Sequence, residues 1–77
     1  MKFLETVKFY KLNDDATITV QVGDNYFRCK ARLDVLLKFK DVEQGKEFLC
    51  QFGLAYVRGQ GLVLQLIEVV SDELENK

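Results

Sequence analysis

Arg28, Lys30 and Arg32 recur at every second position, and Tyr26 precedes them at the same spacing. Guanidinium and ammonium groups neutralise backbone phosphates, and a phenol ring gives a nucleobase a flat face to stack on. A spacing of two puts all four on one side of a β-strand, because successive side chains there point to opposite faces. The intervening Phe27, Cys29, Ala31 and Leu33 form an apolar reverse side. The stretch Tyr26 to Leu33 therefore reads as a strand with a basic, aromatic-tipped outer face and a core-facing inner one. The competing reading of the same charges is a solvated strand that discourages edge-to-edge aggregation.

Other chemistry finds little support. The sequence has no histidine, so no Ser-His-Asp or Cys-His arrangement can be assembled. Cys29 and Cys50 lack metal-ligand spacing and partners. Asp14 with Asp15, and Glu43 with Glu47, are ordinary turn chemistry. Gly59-Gln60-Gly61 is a hairpin turn rather than a phosphate-cradling loop. Neither an enzyme, a bound metal nor a cofactor is expected. Both cysteines fall at inward strand positions, where two buried free thiols are the first reading and a single disulfide the alternative.

The basic strand needs neighbours. Residues 2–12 read as a long strand, apolar on both faces, with Phe3, Val7 and Phe9 on one side and Leu4 and Tyr10 on the other. Asn13-Asp14-Asp15 marks a turn. In residues 16–22, Ala16, Ile18, Val20 and Val22 point in, while Thr17, Thr19 and Gln21 point out. Gly23-Asp24-Asn25 is a tight turn, so residues 16–33 predict a β-hairpin. Alternation breaks at Asp34 to Phe39, where Asp34 reads as an N-cap and Leu36, Leu37 or Phe39 as a plug for the core. Residues 46–58 predict a strand with Phe48, Cys50, Phe52, Leu54 and Tyr56 sharing a face and Gly53 marking a bulge or bend. Arg58 to Gly61 is a turn, and Leu62 to Val70 closes the structure as a strand apolar on both faces.

A chain of 77 residues, 48% of them hydrophobic and 30% charged, supports one small core and no more. Residues 1–70 form the expected domain and residues 71–77 an acidic tail. The formal net charge is −1, yet Tyr26 to Lys40 carries five basic residues against Asp34 alone, a local excess that can steer a polyanion. Met1 to Glu5 lacks the apolar core of a signal peptide. No apolar run approaches the roughly 18 residues that span a bilayer, so a cytoplasmic, non-membrane protein is expected.

Strand, strand, strand, short helix, strand, strand is an order that resembles the OB-fold, a five-stranded Greek-key barrel. The fold class expected is all-β: a small antiparallel OB-like barrel with a short helix between strands three and four. An SH3-like barrel is the alternative, although its helical turn usually precedes the last strand. The resemblance is one of topology across residues 2–70. It implies a single-strand-binding face on strands two and three, flanked by the loops between strands one and two and between strands four and five. On this chain those positions are Thr19, Gln21, Tyr26, Arg28, Lys30 and Arg32, with Arg58 from the second loop and Thr17 beside them. The implied partner is single-stranded DNA or RNA. The rival function is a protein-interaction module, either with another protein or as a homo-oligomer burying surplus apolar residues such as Leu4, Tyr10, Leu49 and Val63.

Overall fold

The computed structural model describes residues 1–72, and the chain forms β1 (Lys2–Leu12), β2 (Thr17–Val22), β3 (Asn25–Lys30), α1 (Leu33–Leu37), β4 (Glu47–Val57) and β5 (Gly61–Asp72). The strands close into a barrel in the order β1-β2-β3-β5-β4, with β4 returning to β1. The helix lies between β3 and β4, the placement on which the OB-like expectation rested. One part of that expectation is corrected. The barrel is not wholly antiparallel, because β3 and β5 run parallel and meet at Lys30 and Gln65. A five-stranded sheet closed in this order needs one parallel seam, and it falls where two strands distant in sequence meet.

The inner face is built as the alternation dictates. Val7 and Phe9 from β1, Ile18 and Val20 from β2, Cys29 from β3, Phe48, Cys50 and Phe52 from β4, and Leu66 from β5 are all buried. One end of this core is plugged. Val35 and Leu36 of α1 are buried there, and Phe39 stacks on Phe9 at 5.4 Å and meets Phe48 edge-on at 5.0 Å. Leu37 instead faces solvent. The helix starts one residue before the expected N-cap: Arg32 occupies the cap position without a side-chain cap bond, and Asp34 lies in the first turn.

Several inward expectations fail at the ends of strands. Ala16 is exposed and adopts a left-handed φ of 63° in the turn before β2. Leu33 is exposed because β3 stops at Lys30 and the chain turns into α1. Phe27, Leu54 and Tyr56 keep inward parity but are exposed, since among the described residues no element covers the end opposite α1. Thr17 errs the other way. It is buried beneath the turn before β2.

The sheet is bent by local irregularities. Along β5, Val70 and Ile67 have no partner in the β4 register, and along β1 Tyr10 is skipped between Phe9 and Lys11. These extra residues increase local twist and let long strands curl round a small core. Gly53 sits at the bend because it lacks a side chain: a Cβ there would lie 3.0 Å from Ile67 Cδ1 and 3.2 Å from the Met1 carbonyl oxygen. β5 continues through Asp72, two residues past the expected domain boundary, and the rest of the acidic segment, residues 73–77, lies outside the described residues. Cys29 and Cys50 are free and buried, and burial pushes both thiols up to about 12, with Cys29 raised further by its neighbour Cys50.

Candidate nucleic-acid interface

The register of β2 and β3 assembles the outer face pair by pair. Thr17 stands opposite Lys30, Thr19 opposite Arg28, and Gln21 opposite Tyr26. Directly opposed residues hold their side chains a few ångströms apart on one face. Polar β2 residues therefore lie against the basic and aromatic residues of β3 over the full hairpin.

A short polar turn borders this face. Asn13 Nδ2 donates to Thr17 Oγ1 at 3.0 Å and to Thr19 Oγ1 at 2.9 Å, and Thr17 Oγ1 donates to Asp15 Oδ1 at 2.6 Å. The Thr17 hydroxyl and the Arg28 guanidinium both hold the Asp15 carboxyl below its usual range. Arg28 Nη1 lies 3.6 Å from Asp15 Oδ2, with both side chains largely in solvent. Such an exposed pair is weak, so Arg28 is readily released to a stronger anion.

Two shallow grooves meet at Arg28 and Asp15. One, of about 420 Å³, is lined by Asp15, Thr17, Arg28, Lys30, Gln60 and Val63. The other, of about 320 Å³, runs along Lys11 to Asp15 and ends on Arg28. The turn before β2 and the β4–β5 hairpin thus flank the hairpin face. At the far end Tyr26 meets Tyr10 edge-on at 4.8 Å, which supports the half-exposed ring from one side. Tyr10 is the residue skipped in the β1–β2 register.

Of the residues expected here, Thr19, Gln21, Tyr26, Arg28 and Lys30 share the face. Arg32 does not, because β3 ends two residues earlier; its Nη2 donates to Asp34 Oδ2 at 3.3 Å beside α1. Arg58 is exposed at the start of the β4–β5 turn, but Gln60 and Val63 are the residues that this hairpin contributes to the groove. Lys11 was missed in the sequence. Its approach to Arg28 depends on the bulge at Tyr10, which strand alternation does not signal. Among the described residues no cluster of acidic, cysteine or histidine side chains could hold a metal ion, and no helix is long and apolar enough to cross a membrane.

Compared with known proteins, the chain matches no protein-family model, no curated protein and no solved structure. The class is therefore set by the architecture alone: a small five-stranded closed barrel with one short helix between its third and fourth strands.

Proposed function

We propose that the protein is a non-catalytic binder of single-stranded DNA or RNA, acting through the outer face of β2 and β3. The observation that carries this reading is the convergence of Lys11, Arg28 and Lys30, against Asp14 and Asp15, on joined grooves flanked by two turns, with the Tyr26 ring at the end of the same face. Cations would track the phosphates, Tyr26 would stack on one base, and Thr19 and Gln21 would offer hydrogen bonds without demanding a sequence. The two free, buried thiols suit a reducing compartment, and the cytoplasm is the proposed location.

The test is a titration of labelled single-stranded oligonucleotides at low salt, with a duplex of the same sequence alongside. Single strands should bind more tightly, because paired bases cannot offer a face to Tyr26. Absence of association with any single strand would leave the basic face as a solubility device. A second reading, a protein-interaction module, is favoured by a different observation: Leu54, Tyr56 and Leu62 are exposed together on the β4–β5 hairpin.

A further inference from the structure

Among the described residues the barrel is plugged at one end, by α1 and Phe39. At the other, a cavity of about 250 Å³ opens between the strands, its walls including Phe3, Val22, Phe27, Phe52 and Leu64 and its one charged lining residue Glu5. Glu5 has the inward parity of Phe3 and Val7 on β1, so the mouth combines apolar walls with a carboxylate. The β4–β5 hairpin rises beside this mouth. The molecule measures 42 Å along one axis against 26 Å along the others. On the hairpin Leu54 pairs with Leu64 and Tyr56 with Leu62, continuing the inner face past the last strand able to cover it.

We propose that the mouth of one chain receives the β4–β5 hairpin of a second copy, and that the exchange is reciprocal. This deepens the interaction-module reading and is independent of the nucleic-acid one. Both halves of the contact exist on every chain, as a two-fold interface requires. Exposure is 39% for Phe3, 41% for Phe27 and Leu54, 74% for Tyr56 and 71% for Leu62. Three of these are aromatic, at about 150–250 Å² for a whole side chain, and with the two leucines they leave on the order of 500 Å² of apolar surface per chain. Complete burial on two chains reaches about 1,000 Å², the lower end for a specific interface. Charge agrees, with Glu5 inside the mouth and Arg58 next to the tip of the incoming hairpin.

The four residues expected from sequence to carry an oligomer are dispersed instead. Val63 lines the basic groove, Tyr10 packs on Tyr26, and Leu4 and Leu49 sit on the outside of β1 and β4. The apolar surplus is real, but it gathers at the mouth and the hairpin.

Sedimentation equilibrium on the full chain, from about 1 to about 200 µM, follows the assembly by mass action. The expected limit at high concentration is twice the 8.9 kDa chain mass. Leu62→Asp should weaken the dimer by about 30-fold, as loss of a central apolar anchor does, with an unchanged circular dichroism spectrum because Leu62 is exposed. The contact is located by mixing Glu5→Cys with Arg58→Cys protein under the thiol oxidant diamide. A covalent mixed dimer should form, while Cys29 and Cys50 stay silent in the core. A wild-type chain monomeric throughout, a Leu62→Asp variant as dimeric as wild type, or a dimeric mixture that does not cross-link would each overturn the proposal.

Discussion

The basic groove and the apolar mouth lie on adjoining surfaces of one barrel and share β3 and β5, yet they are finished in opposite ways. In the groove, polar groups already have partners: Asn13, Asp15, Thr17, Thr19 and Arg28 form a connected set before anything binds. At the mouth, Phe3, Phe27, Leu54, Tyr56 and Leu62 expose ring and aliphatic surface. The parity of a strand explains the contrast. Outer positions mostly face solvent and carry polar or charged groups; inner positions face the core, and those beyond the reach of the neighbouring strands keep apolar side chains that no described residue covers. One strand thus presents two surfaces of different chemistry.

The largest expected effect removes both surfaces at once. Phe39→Ala takes out the ring packed between Phe9 and Phe48, and should destabilise the fold by about 3–5 kcal/mol in denaturant unfolding. Phe27→Ala at the open mouth should cost under about 2 kcal/mol, since that ring is only partly covered. Equal losses at the two positions would mean that the mouth is as well packed as the plugged end.

The core between the two regions also makes stability depend on pH. Cys29 and Cys50 ionise near 9.0 when unfolded and about 12 when folded. Their full contribution is therefore present below pH 9 and is lost progressively as pH rises toward about 12. Thermal unfolding across that window should show the decline, and native-state alkylation at pH 8 should be slow at both thiols.

Separating the two surfaces is the next test in size. Lys30→Glu should weaken oligonucleotide binding roughly tenfold at low salt, through lost attraction and added repulsion, and leave sedimentation unchanged. Leu62→Asp should do the reverse. A variant that moved both properties would show that assembly and binding share one site.

Smaller effects come from the turn that borders the groove. Ala16 holds a left-handed backbone that suits glycine, so Ala16→Gly should raise stability by up to about 1 kcal/mol. Asp15→Asn removes a negative charge and frees Arg28, and should tighten oligonucleotide binding by less than about fivefold.

What the sequence made legible follows strand parity. The β2–β3 hairpin, the helix at the break expected from Asp34 to Phe39 and the inward Phe48, Cys50 and Phe52 all rest on local periodicity. Most of the face rests on it too, since parity placed Thr19, Gln21, Tyr26, Arg28 and Lys30 together. The remainder depends on contacts between distant segments. Parallel closure of β3 on β5 is such a contact, and so is the uncovered end that leaves Phe27 exposed. Arg32 continues the alternation of Arg28 and Lys30, but the chain leaves the sheet before reaching it. Thr17 has the parity of an outer residue and is buried only because Asn13 and Asp15 fold over it.

The measurement that bears most directly on the groove is single-strand affinity across a salt series for wild type, Lys30→Ala and Tyr26→Ala. At about 0.7 units of slope per phosphate on a single strand, three cations should give a log–log salt dependence of about −2. Lys30→Ala should flatten it by about 0.7. Tyr26→Ala should weaken binding by about 1–3 kcal/mol while leaving the slope in place, because stacking releases few counterions. Tyr26→Ala protein that binds as tightly as wild type would reduce the groove to unspecific charge attraction, and no measurable binding by wild type would contradict the nucleic-acid assignment outright.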